Sequence, residues 1–107
     1  MGVVIMNEQQ KVKKAVLCVK NHEINTNKSR VLKKRIISHI DNDYKVIELD
    51  FSDVHKIDSL GIAQLLIGYR KVSEAEGKLR IINVKNEYIK TIIKLIHLDN
   101  IMEVKFN

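Results

Sequence analysis

Four histidines, one cysteine and an adjacent Asp-Ser pair are the residues that could do chemistry in this chain. His22, His39, His55 and His97 contain no pair three or four residues apart, so no helical or finger-type metal pair forms. Cys18 is alone, which excludes an internal disulfide and fits a reducing cytoplasm. It stands in the apolar run AVLCV, where a small buried thiol is the expectation. No G-x-S-x-G elbow, P-loop or G-x-G-x-x-G is present. Asp58 and Ser59 are neighbours, but a serine nucleophile needs a base held by a third group. His55, the nearest base, has no evident orienting partner in its short loop. The chain is therefore expected to be no enzyme and to need no metal or cofactor.

The segment HKIDSLGIAQLL, residues 55–66, asks for a different reading. Asp58 is a good N-cap, Ser59 opens a helix and Gly61 falls inside its first turn. Capping alone explains the first two residue types. It does not explain Gly61, because glycine inside a helix costs about 1 kcal/mol relative to alanine. A glycine kept there points to the close approach of another backbone or of a partner. The free N–H groups and positive dipole end of a helix also favour an anion at its start. A phosphate on Ser59 would thus be tolerated by the fold while adding about −1.5 to −2 charges to the surface. That is the physics of a docking switch.

The elements that must hold this segment follow from periodicity. Residues 3–6 and 14–20 are apolar and β-rich and can pair as a hairpin. Asn25, Thr26 and Asn27 are N-cap types, and a helix follows to about residue 42. Its Leu32, Ile36 and Ile40 share a face with Val31 and Ile37 beside them, while Lys28, Lys33, Lys34 and Arg35 fall mostly opposite. Residues 45–51 alternate, with Ile47, Leu49 and Phe51 on one side and Glu48 and Asp50 on the other, which predicts a strand. Residues 52–58 are read as a loop. From 59 to 76 two apolar stripes run along a helix, Leu60–Ala63–Leu66–Ile67 and Ile62–Leu65–Tyr69–Val72. A face this broad predicts packing on more than one side, and Gly77 is the expected stop. A strand at 78–84 follows, then a helix capped by Asn86 with Ile89, Ile92, Ile93 and Ile96 inward, then an edge strand at 102–106. Strands alternating with helices predict an α/β fold with a mixed sheet of four or five strands and crossover helices. The strands at 46–51 and 78–84 are expected to be parallel neighbours.

The chain of 107 residues is 45% hydrophobic and 30% charged, which excludes a disordered chain and a coiled-coil rod and predicts one domain over 1–107. No apolar run reaches ~18 residues, the length of a membrane span. The start MGVVIMNEQQ has no secretory pattern, and Met6 breaks the myristoylation motif. The net charge of +6 is uneven: residues 1–45 hold ten basic and four acidic side chains, and residues 46–107 hold nine of each. A basic half suits nucleic acid, anionic lipid or an acidic protein, or reflects nothing beyond a lysine-rich composition. Only two aromatics other than tyrosine exist, Phe51 and Phe106, and both are expected in the core, so no base-stacking platform is visible and no nucleic acid is expected.

Over nearly its whole length the chain resembles the STAS domain, in particular the bacterial anti-sigma factor antagonists. The resemblance is carried by IELDFSDVHKIDSLGIAQLLIGYRKV (47–72), GKLRIINV (77–84), IKTIIKLIHLDNIMEVKF (89–106), the strand AVLCVK and the pair Glu23-Ile24. It implies the STAS fold, with helices mainly on one face of the sheet. It implies that Ser59 is phosphorylated by a serine kinase that is itself the anti-sigma factor, and restored by a serine phosphatase. Unphosphorylated antagonist would bind the anti-sigma factor and free a sigma factor in the cytoplasm. The resemblance assigns partner contacts to Asp58, Leu60, Gly61 and Ile62, and to His22, Glu23 and Asn25, which stand where the family usually has Gly-Glu-Leu-Asp. It further implies a monomer or weak dimer without membrane insertion. A STAS subunit of a stress-sensing or lipid-transport complex is the alternative, against which a serine at position 59 argues, and a nucleic-acid binder using the basic half is the distant one.

Overall fold

Aliphatic residues at every second position of the middle strands lay down the sheet. The computed structural model describes residues 2–6, 11–20 and 23–106. The chain runs β1 (Gly2–Met6), β2 (Lys11–Cys18), β3 (Glu23–Ile24), α1 (Thr26–Asp41), β4 (Tyr44–Asp50), β5 (Lys56–Ile57), α2 (Ser59–Glu74), β6 (Lys78–Val84), α3 (Glu87–Leu95), a 3-10 turn at Leu98–Asn100 and β7 (Glu103–Phe106). Five strands form one sheet in the order β1-β2-β4-β6-β7. β1 and β2 are antiparallel, and β2, β4, β6 and β7 are parallel, with β4 and β6 adjacent as expected.

The strand order explains the layers. Three successive crossovers each step one strand in the same direction, and right-handed crossovers that do so place their helices on the same face. That face is a packed core in which Ala15–Ile47–Leu79 and Leu17–Leu49–Ile81 form two rows across the sheet, all fully or almost fully buried. Burying one such side chain contributes about 1.5–3 kcal/mol. The other face is open to solvent and is laced by charge. Glu48, only 6% exposed, meets Lys14 at 3.0 Å and Arg80 at 3.2 Å, and Arg80 Nε lies 3.3 Å from Glu103 without the alignment of a hydrogen bond. Burial alone would raise the Glu48 carboxyl. Hydrogen bonds from Lys14 and Arg80 and their charges outweigh it and hold the group below the ordinary carboxylate range.

Several expectations change in three dimensions. Cys18 is exposed, because Leu17 takes the inward position and the pleat turns its neighbour to the open face. Helix α2 packs against both α1 and β6, burying Gly61, Leu65, Gly68 and Val72 and half-burying Leu66 and Tyr69, but Leu60, Ala63 and Ile67 of its expected stripes face solvent. Val31 and Ile96 are also exposed rather than inward, and Phe106 is half-buried under Lys94. The left-handed residue after α2 is Glu76, at φ 61°, and not Gly77. Gly77 is needed for another reason: a Cβ there would lie 2.8 Å from the Lys45 carbonyl oxygen. Gly68 similarly lets α1 close on α2, where its Cβ would stand 3.3 Å from Ile36.

Candidate functional site

Two short strands that periodicity cannot detect assemble the site. Residues 23–24 and 56–57 pair in parallel, Glu23 with Lys56 and Ile24 with Ile57, apart from the main sheet. Each runs directly into a helix, so the pair sets the starts of α1 and α2 side by side at one end of the molecule. The loop leading to β5 is pinned from below. Phe51 and Val54 are buried, the Phe51 N–H donates to the Ile82 carbonyl at 3.0 Å, and the Val54 N–H donates to the Phe51 carbonyl at 2.9 Å. Asp50 holds the first turn of that loop, accepting from the Ser52 N–H at 2.9 Å and from Asn83 Nδ2 at 3.2 Å. Asn83 reaches it because β6 shifts register between Ile81 and Val84 and Asn83 takes φ 57°. Burial would raise the Asp50 carboxyl, but the Ser52 and Asn83 bonds and the charge of Lys85 keep it below the ordinary range.

Asp58 organises the start of α2. Asp58 has extended backbone and its Oδ1 accepts the Gly61 N–H at 2.6 Å, the cap that its residue type predicts. Its own N–H donates to the Ile24 carbonyl at 3.3 Å, and its carbonyl accepts from the Ile62 N–H at 2.9 Å. Ser59, the first helical residue, is exposed. The N–H groups of a first helical turn have no partner within the helix, so a negative group on Ser59 would sit at the positive end of the dipole. Leu60 is 57% exposed and forms an apolar knob next to the hydroxyl.

Gly61 faces the other way. It is buried, and a Cβ built on it collides with the carbonyl oxygen of Ile24 and lies 3.1 Å from Asp58 Oδ1. Of the two readings its position suggested, close approach of another backbone is what the fold shows. Gly61 thus forms a seam between α2 and β3. Ile62 is half-buried. Asn25 caps α1, its Oδ1 accepting the Lys28 N–H at 3.1 Å. Glu23 contributes backbone to the short ladder, and His22 lies outside the described residues.

Sequence reasoning missed Lys56 and Tyr88. With His55, Ile57 and Asp58 they line a recess of about 380 Å³ next to Ser59 in the chain, and Tyr88 is 54% exposed on α3. The available signal was Tyr88 itself, an aromatic one residue off the inward Ile89–Ile93 pair. Among the described residues no group of histidine, cysteine and carboxylate side chains could hold a metal ion, and no helix is long and apolar enough to cross a membrane.

A family model for the STAS domain matches residues 6–107. No curated protein matches the sequence. Among solved structures, a proposed anti-sigma factor antagonist from Thermotoga maritima superposes with a TM-score of 0.67 at 19% identity, covering 96% of this chain and 84% of that one. An anti-sigma factor antagonist from Mycobacterium paratuberculosis gives 0.71 at 19% identity, covering 98% and 86%. The antagonist SpoIIAA in its unphosphorylated form gives 0.56 at 13% identity, covering 89% and 83%. At these identities the structural likeness establishes the fold.

Proposed function

The chain belongs to the STAS domain family, and within it we propose that this protein is an anti-sigma factor antagonist switched by phosphate on Ser59. The observation that carries the reading is an exposed Ser59 hydroxyl at the first residue of α2, between a fixed Asp58 carboxylate and the bare side chain of Leu60. A kinase can reach the hydroxyl. A partner can bury the leucine. The unphosphorylated form holds the anti-sigma factor and so releases a sigma factor; a phosphatase returns the phosphorylated form to service. The work is done by binding in the cytoplasm and needs no catalytic group of the chain's own.

Phosphate acts on the interface rather than on the fold. The helix start tolerates the added charge. A partner surface lying over Leu60 would have to strip water from a dianion next to Asp58, and that cost is not recovered without matching cations. The test is a pull-down of the cognate anti-sigma kinase with wild type, Ser59→Ala and Ser59→Asp, with and without ATP. ATP should label wild type on Ser59 and release it, Ser59→Ala should stay bound in both conditions, and Ser59→Asp should fail to bind. Equal labelling of wild type and Ser59→Ala would falsify the switch.

A further inference from the structure

A cavity of about 480 Å³ opens between the C-terminal end of β2 and α1, a size typical of small-molecule sites. The Ser59 switch does not use it. Its floor is apolar: Val19, Ile24 and Leu32 line it and are otherwise buried. Its rim is cationic, with Lys20 on the strand side and Lys28 and Arg35 on the helix. No aspartate or glutamate lines it among the described residues, and none of the three cations is in an ion pair among the described side chains.

The helix wall explains a residue that periodicity misplaced. Lys28, Val31 and Arg35 recur at helical spacing and so form one ridge of α1. Val31 is 60% exposed, a bare aliphatic side chain standing between two cations at the cavity wall. Converging like charges raise the local concentration of anions, and a guanidinium offers a two-pronged grip on a carboxylate or phosphate. An apolar floor beneath a cationic rim suits a ligand with an aliphatic body and a charged head. We propose that this cavity binds a free amphipathic anion, a carboxylate- or phosphate-headed aliphatic molecule. The head lies against Arg35, Lys28 and Lys20, and the chain lies over Val31 and the floor. The proposal stands independently of the reading of Ser59.

The full chain would be titrated with octanoate below its micelle concentration, with octanol and inorganic phosphate as separate probes, and followed by amide and methyl NMR. Octanoate should shift the Val19, Ile24, Val31 and Leu32 methyls and bind at least about tenfold more tightly than either control, as charge-assisted contacts require. Lys28→Glu with Arg35→Glu should weaken octanoate about tenfold or more. Val31→Asp, at an exposed position that leaves the fold intact, should do likewise and decides the matter if the double variant unfolds. Equal binding of octanol, shifts confined to other surfaces, or unchanged affinity in folded Val31→Asp would overturn the site. So would sedimentation with phosphatidylglycerol vesicles in the absence of any response to octanoate, which would make the basic rim a membrane contact instead.

Discussion

The starts of α1 and α2 are built to one plan and differ in chemistry. Each follows one strand of the β3–β5 pair, with Ile24 and Ile57 in register, and each has an Asx cap accepting an N–H three residues on. A hydroxyl residue opens both helices, Thr26 in one and Ser59 in the other. At α1 the cap is a neutral amide and the capped residue is Lys28. At α2 the cap is a carboxylate and the capped residue is a glycine jammed under the backbone of the neighbouring strand. The shared plan is what the fold requires of two crossovers. The carboxylate cap and the buried Gly61 serve the seam that the fold builds at α2, and the exposed Leu60 is the one addition there that folding alone does not ask for.

Substitutions can break that comparison. Gly61→Val forces a side chain into the Ile24 carbonyl and should cost at least about 3 kcal/mol, whereas Lys28→Val at the matching position of α1 should cost under ~0.5 kcal/mol; urea unfolding measures both. Equal losses would mean that the seam relaxes and that Gly61 is kept for a partner after all. Removing the caps should follow: Asp58→Ala should cost about 1–2 kcal/mol and Asn25→Ala about 1 kcal/mol. Ser59→Asp should change thermal stability by under ~1 kcal/mol, and upward, because it adds charge at a helix N-terminus. The smallest effect is in the acid limb. Glu48 and Asp50 ionise below their ordinary range when folded, so each adds stability that is full above that range and is lost as pH falls through its folded value. Glu48→Gln and Asp50→Asn should each flatten the loss of stability in acid titrations, while Asn25→Ala should leave its slope alone.

The larger strands and all three helices were legible because their apolar spacing is long and regular. Ile47 and Leu49 announced β4, the three cap types at 25–27 bracketed the start of α1, and Asp58 and Asn86 announced the starts of α2 and α3. The two-residue strands were not legible, since Glu23-Ile24 and Lys56-Ile57 are too short for any period and pair only because two crossovers have already brought them together. Burial was misjudged wherever an aliphatic residue sat at the edge of a stripe, as with Val31, Ile67 and Ile96. Spacing places such a residue on a face but does not say where the neighbouring element stops. For Ser59 the sequence carried both the cap and the hydroxyl. The identity of Gly61's neighbour was hidden in a strand far away in the chain.

The β3–β5 clasp has a kinetic side. Strand pairs β2–β4 and β4–β6 are each joined by a single helix, so much of the sheet can form from contacts of moderate sequence separation. The clasp joins strands about as far apart in the chain as those pairs are, but with two residues on each side it should hold only while α1 and α2 are docked beside it. The geometry around Ser59 should therefore be among the first features lost on partial opening. Amide exchange at Asp58 and Gly61 would report that opening, and an enzyme that reads this loop in its native shape would act on finished molecules and pass over nascent or damaged ones.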